Sequence, residues 1–160
     1  LSVDKESFHN IFGSNSQALV EFELRLLQGS AELHHLLAHS MGLSSFRSFL
    51  QKGLAEENID FWVKAKEFSE AKFPSTEDGI AEAKNIFHLY CDETSEKQIN
   101  LPCNIRTKLK DCLEKNELNQ CMFEPARMEI YRLMVRDNYA RYKVSSDFKE
   151  FFGRLGLISD

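Results

Sequence analysis

The side chains best suited to chemistry in this 160-residue sequence are two asparagine amides and one pair of opposite charge. Asn58 and Asn100 can each donate and accept hydrogen bonds, but asparagine is also a favoured helix cap. Asp137 and Arg141 are four residues apart, the spacing of an exposed helix salt bridge worth about 0–1 kcal/mol. Taken alone, these residues indicate local structural roles.

Two histidines have the spacing of metal ligands. His35 and His39 are related as i and i+4, and Glu32 is nearby. Because no further ligand is evident, the sequence predicts no zinc site and places both histidines at the surface. The chain also has no nucleophile elbow and no Gly-rich phosphate loop, which leaves a hydrolase or a kinase without support. We therefore expect no catalytic residue, no metal and no cofactor.

The composition is that of a helical globular domain, with 42% hydrophobic residues, 28% charged residues and only seven Gly and three Pro. Leu and Phe outnumber the β-branched Val and Ile, which favours helices over strands.

The net charge of −5 argues against a nucleic-acid partner and fits a protein partner. Every run of 18 residues contains charge, so no bilayer span is expected. Four cysteines without a C-x-x-C pair indicate reduced thiols in an intracellular protein.

Apolar periodicity predicts a succession of helices joined by short loops. The expected helices lie at 17–28, 30–40, 43–51, 55–71, 78–91, 105–115, 125–138 and from a cap at Ser145 or Ser146 onward. Gly42 is expected to end the second helix and Gly53 to follow the third. The four consecutive long helices from 55 to 138 indicate an antiparallel up-and-down bundle.

The bundle order predicts one polar surface. The break near 53–57, the loop 92–104 and the exit at 137–143 all fall at the same end of an up-and-down bundle. These segments hold the densest polar residues of the core region: Glu56, Glu57, Asn58, Asn100, Asp137, Asn138 and Arg141.

Several strings of the sequence, in order, resemble the RGS box, the regulator of G-protein signalling domain. They include Gly42-Leu-Ser-Ser-Phe46, Glu56-Glu-Asn-Ile-Asp-Phe-Trp62, Ile99-Asn100, Ile130-Tyr-Arg-Leu-Met134 and Arg136-Asp-Asn-Tyr-Ala-Arg141. The resemblance assigns residues 30–155 to an RGS domain and leaves residues 1–29 as an N-terminal helical extension.

The resemblance implies an all-α fold of about nine helices, with an antiparallel four-helix bundle and a terminal helical subdomain. It implies a GTPase-activating protein that binds a GTP-bound or transition-state Gα subunit and holds its switch regions, so that the arginine and glutamine of Gα do the chemistry. Such a protein is not itself an enzyme. We expect a cytoplasmic monomer, recruited to the inner face of the plasma membrane, with no nucleic-acid partner and no small-molecule substrate.

The family's contact positions match this sequence one by one, and the resemblance reverses the odds on the two asparagines. Glu57 and Asn58 match the first contact loop, and Asn100 matches the amide that reaches toward the Gα glutamine. The positions that match the last contact surface are Leu133, Asp137, Asn138 and Arg141.

The sequence also departs from the family. Gly53, Leu54 and Ala55 replace an acidic residue, an aromatic residue and a serine that many members have, and Pro102 replaces a frequent aspartate. The alternative function is therefore an RGS-fold scaffold or docking domain without GTPase acceleration. The retained polar residues favour the accelerator, because a domain that only docks has no need of switch-binding groups.

Overall fold

The computed structural model describes residue 25 and residues 31–71 and 77–154. Within these ranges the regular secondary structure is entirely helical. The predicted all-α class is thus confirmed. The helix predicted at 17–28 lies outside the described residues except for Arg25, which is helical. Gly156, expected to end the last helix, also lies outside them.

Beyond Arg25, seven continuous helices account for the described helical residues, slightly fewer than the nine or so that the resemblance implied. They are α1 (Leu33–Leu37), α2 (Ser40–Lys52), α3 (Glu56–Glu70), α4 (Glu77–Ile86, extended by the π turn Phe87–Cys91), α5 (Cys103–Glu114), α6 (Glu124–Leu133, extended by the π turn Met134–Tyr139 and the α turn Ala140–Lys143) and α7 (Ser146–Arg154). Helices α3 to α7 begin close to their predicted positions, and Ser145 Oγ caps α7 by accepting the N–H of Phe148.

The chain divides into two compact units, and the central one is a four-helix bundle. It spans Leu54–Arg136. Within it, α3 packs against α4 and α6, and α5 packs against the same two helices. Phe61 contacts Tyr90 at the end of α4, and Phe68, two turns further along α3, contacts Phe123 at the start of α6, which is the pattern of neighbours that alternate in direction. This ring of four is the predicted up-and-down bundle.

Aromatic rings packed edge to face form the centre of the bundle. Phe61 contacts Tyr90 and Phe123 with ring centroids 5.8 and 6.3 Å apart, and Phe68 contacts Phe123 at 5.2 Å. All four side chains are buried. Because Tyr90 lies in the last turn of α4, this core fixes the point at which the following loop begins.

The second unit combines residues 31–53 with residues 137–154. Its centre is Tyr142, a fully buried side chain whose ring lies 5.3 Å from Phe46 and 5.4 Å from Phe148. The Tyr142 hydroxyl shares a 2.7 Å hydrogen bond with Ser45 Oγ. Burial raises the pKa of Tyr142 to about 12, so the hydroxyl keeps its proton for this bond.

Gly42 does not end a helix, and the prediction that it does is wrong. It lies in the first turn of α2 and is buried. A Cβ at this position would lie 2.5 Å from the Leu36 carbonyl oxygen and 2.7 Å from Leu36 Cδ1. The glycine therefore permits a close approach between α1 and α2, and the chain breaks earlier, at 38–39.

His35 and His39 are buried, which corrects the prediction of two surface histidines. Each Nδ1 atom accepts backbone N–H groups near a helix start: His35 from Glu32 at 3.0 Å, and His39 from Met41 and Gly42 at 3.2 and 3.4 Å. Burial lowers the pKa of His39, which favours the neutral ring that can accept these bonds. An imidazole nitrogen thus takes the place of the usual serine or aspartate oxygen at the N-terminus of α2.

Three findings concern cysteines, metal ligands and membrane spans. All four cysteine thiols are free. No cluster of three or more potential metal ligands occurs in the described part of the chain. Over the same residues, no helix combines the length and the apolar character that a bilayer span requires.

Candidate functional site

The first predicted contact segment is the start of α3. Leu54 precedes it with a φ of 54° and a side chain that is 89% exposed. Glu57 is half-buried and Asn58 is buried. The N-cap of α3 is Ala55, which has no side-chain hydrogen bond to offer, so Asn58 is not the helix cap that its residue type alone indicated.

The second predicted contact segment is the loop 92–102 between α4 and α5. Asn100 is exposed, whereas its neighbours Ile99 and Leu101 are only 1% and 5% exposed. Two buried side chains therefore anchor the backbone on either side of the amide and leave it pointing away from the core. The N-cap of α5 is Pro102, without a side-chain cap bond, so Asn100 does not cap this helix.

Three consecutive carbonyl groups at the end of α4 hold this loop in place. The last carbonyls of a helix have no partner inside it and accept hydrogen bonds from elsewhere. The three bonds run from Ser95 Oγ to Leu89 O at 2.5 Å, from Ile99 N to Tyr90 O at 2.8 Å, and from Arg106 Nε to Cys91 O at 2.9 Å. Each therefore ties α4 to a different point of the following segment.

The loop follows directly after a π turn and begins with an Asx turn at Asp92. The N–H of Asp92 bonds to the carbonyl of Phe87 at 2.9 Å, which closes the π turn. The Asp92 carboxylate accepts the backbone N–H and the hydroxyl of Thr94, and these bonds hold the pKa of Asp92 below its usual range. Neither the π turn nor the three-carbonyl arrangement has a signal in the residue pattern, and sequence reasoning missed both.

The remaining predicted residues lie along α6. Leu133 is half-buried and ends the regular α-helical part, within the bundle unit. Asp137 and Arg141 form the predicted pair, with Nη2 and Oδ2 2.9 Å apart and both side chains 58% exposed. Asn138 is only 2% exposed, its Nδ2 lies 3.5 Å from Asp137 Oδ2, and its buried Oδ1 has no hydrogen-bond partner.

The bundle brings some of these residues to a common end. Phe61 in the first half of α3 contacts Tyr90 in the last turn of α4, which indicates that the start of α3 and the α4–α5 loop lie at the same end of the bundle. Glu57 and Asn58 belong to the first of these segments and Asn100 to the second. Asp137, Asn138 and Arg141 belong to the other unit. That they share a surface with the first group stays a prediction.

The family model described as the regulator of G protein signaling domain matches residues 32–151. The chain belongs to this family. Regulator of G-protein signaling 18 of Mus musculus is similar, with 26% identity over 153 residues, covering 92% of this chain and 63% of that protein. Regulator of G-protein signaling 8 of Homo sapiens is 30% identical over 107 residues, covering 67% of this chain and 57% of that protein. The chain thus spans less than two thirds of the length of these curated relatives.

In this RGS domain two of the departures from the family pattern, Leu54 and Pro102, lie next to helix starts. Pro102 has a φ of −55°, a value that a proline ring imposes, and precedes the first turn of α5. Leu54 keeps an apolar side chain at the position where many members have an aromatic one. Membership places the chain among domains that regulate G-protein signalling.

Proposed function

We propose that this RGS domain is a GTPase-activating protein for heterotrimeric Gα subunits. It binds the switch segments of GTP-bound Gα and stabilises their arrangement in the transition state for GTP hydrolysis, which terminates signalling. The arginine in cis and the water-orienting glutamine of Gα carry out the reaction, and the RGS domain contributes no catalytic residue. We further propose that the domain acts as a cytoplasmic monomer that is recruited to the inner face of the plasma membrane.

The main support for this proposal is that Asn100 is exposed while both of its neighbours in the chain are buried. An amide held in place by its backbone can donate to one switch group and accept from another without first being ordered. A residue with only a structural role would be expected to bond within its own chain. Instead, Asn100 caps neither adjacent helix, and its side chain is exposed.

The other matched residues support Asn100 in different ways. Asp137 and Arg141 are exposed and paired, so the arginine orients a carboxylate that can accept a switch N–H. Asn138 is buried beside Asp137, and we assign it to holding that carboxylate. Glu57 offers a half-buried carboxylate at the start of α3, next to the buried Asn58.

The energy required is small. A hundredfold acceleration corresponds to about 2.7 kcal/mol. Since a hydrogen bond contributes about 0.5–1.5 kcal/mol net, two to five good contacts to the switches are enough. The residues that match the family's contact positions offer that many polar groups, with the Leu133 side chain as an apolar contact.

The test compares nucleotide states of Gα. Since the proposed activity is complementarity to the transition state, the domain should bind Gα·GDP with aluminium fluoride far more tightly than Gα·GDP. Single-turnover GTP hydrolysis by a panel of Gα subunits should accelerate for at least one of them. Equal affinity for both states together with unchanged hydrolysis across the panel would reject acceleration and favour the scaffold or docking alternative.

A further inference from the structure

We propose that Arg106 is a positioning residue that fixes the direction of Asn100 through the carbonyl end of α4. This inference rests on the proposed function, in which Asn100 contacts Gα. Arg106 lies on α5, six residues beyond Asn100, and belongs to none of the strings that carry the family resemblance.

The side chain of Arg106 is only 16% exposed, an unusual state for a charged group. Its Nε donates to the Cys91 carbonyl at 2.9 Å, and its Nη1 donates to Glu93 Oε1 at 2.9 Å. These two acceptors lie on either side of Asp92, where the chain leaves α4. The planar guanidinium therefore holds the first residues of the loop at two points.

The chemistry of the Cys91 contact favours a cation. The C-terminal carbonyls of a helix carry partial negative charge, and Cys91 O is the last of the π turn. Burial raises the pKa of the Cys91 thiol to about 12, although the charge of Arg106 opposes this shift. The thiol therefore stays neutral, and the carbonyl rather than the sulfur is the group that Arg106 binds.

The Cys91 contact is linked to Asn100 through the neighbouring Tyr90 carbonyl. The Tyr90 carbonyl, which belongs to the peptide just before that of Cys91, accepts the N–H of Ile99 at 2.8 Å. The two peptide units meet at the Cys91 Cα, and the π-turn bond from the Asp92 N–H to the Phe87 carbonyl holds that junction in place. A shift at Cys91 is therefore passed on to Tyr90 and so to Ile99. Asn100 is the next residue and follows the position of Ile99.

A merely stabilising role for Arg106 would have a different signature. Its pair with Glu93, a side chain that is 71% exposed, resembles a surface ion pair, whose loss has little effect. If stability were all that Arg106 provided, its effect on Gα would be independent of the amide at position 100. If it positions Asn100, its effect disappears once that amide is gone.

The experiment uses Arg106→Met, which keeps an unbranched apolar stem at this position but removes every donor. Lys108→Met is the matched control, since it removes one positive charge from an exposed position of the same helix. Hydrogen exchange of the Ile99 amide reports on the loop in the absence of Gα. Arg106→Met should speed this exchange about tenfold, the expected effect of losing one charge-assisted hydrogen bond, and Lys108→Met should not.

The second measurement is a double-mutant cycle with Asn100→Ala in single-turnover hydrolysis. Arg106→Met alone should lower the stimulated rate about tenfold, and in the Asn100→Ala background it should lower the rate less than twofold. Unchanged Ile99 exchange, or equal rate losses in both backgrounds, would overturn the proposal. A wild-type domain that accelerates no Gα would refute the proposed function instead, and the exchange measurement would still decide whether Arg106 holds the loop.

Discussion

Asn100 is the residue on which the proposed activity most depends. Replacing Asn100 with Ala should cost about 1–3 kcal/mol of transition-state stabilisation, or about tenfold or more in stimulated hydrolysis, because switch groups would lose their partner. Melting should be unchanged, since the side chain is exposed and caps no helix. The measurement is single-turnover hydrolysis alongside thermal unfolding.

The control for this change is Asn85→Ala, at an exposed position of α4. It should leave both rate and melting close to those of the wild type. A variant at position 100 that unfolds would show a structural role for the amide, and one that retains full activity would contradict the proposed contact.

His39 makes part of the stability depend on pH. Its pKa is lowered in the folded state, so between that value and the ordinary 6.5 the unfolded chain binds more protons than the folded one. The neutral ring therefore makes its full contribution to the free energy of unfolding above a pH of about 6.5, and this contribution is lost as the pH falls through the pKa of His39 in the folded state. Urea unfolding at pH 7.5, 6 and 5 should show this loss.

His39→Asn separates this residue from other titrating groups. Asparagine keeps an acceptor for the Met41 and Gly42 N–H groups but does not titrate in this range. The stability difference between wild type and variant should shift in favour of the variant as pH falls. A difference that is constant with pH would mean that His39 does not titrate on unfolding.

At the scale of helices, two glycines in helical positions should respond in opposite directions. Gly42→Ala should destabilise the fold by about 1–3 kcal/mol, since the Leu36 carbonyl oxygen that its Cβ would meet belongs to the backbone and cannot rotate away. Gly153→Ala should stabilise by about 0.5–1 kcal/mol, because nothing lies within 4 Å of its Cβ and alanine favours helix. Denaturant unfolding measures both, and a change of the same sign in both variants would contradict the packing described.

The helices themselves were predictable because each shows its buried face as a repeating apolar pattern. The failures occurred where a distant residue decides the local structure. Gly42 carries the signal of a helix end, and only the approach of Leu36 shows why it sits within a turn. His39 carries no recognised capping signal, since imidazole is rare in that role, and the π turns extend helices without changing which residues are apolar.

For the candidate site, sequence patterns identified side chains but not what holds them. Asn100 stands out through the family motif, whereas its support from Arg106 is a bond to a backbone carbonyl. Backbone carbonyls are identical at every position, so such a partner leaves no trace in the residue pattern. The burial of Asn138 was missed for a similar reason: the helix face that is covered depends on contacts far along the chain.

At the scale of the whole chain, residues 1–29 are expected to serve stability. Their apolar residues, Leu19, Phe22, Leu26 and Leu27, have helical spacing and need a buried surface, which we expect near Phe148 and Phe152. Deleting residues 1–29 should lower the Tm and leave stimulated hydrolysis per folded molecule nearly unchanged. An unaltered melting curve with lost activity would contradict this assignment.

The unit around Tyr142 is made from two stretches of chain, and the ribosome translates the bundle unit between the first stretch and the second. Ser45 meets Tyr142 across 97 positions, and Ala31 accepts a hydrogen bond from Tyr139 across 108. All residues of the bundle unit are therefore translated before the second stretch begins. On the ribosome the bundle unit can therefore fold while Phe46 still lacks two of its aromatic partners, Tyr139 and Tyr142. Contacts of such long range make loop closure slow, so the last described helix completes the unit that the first described helices began.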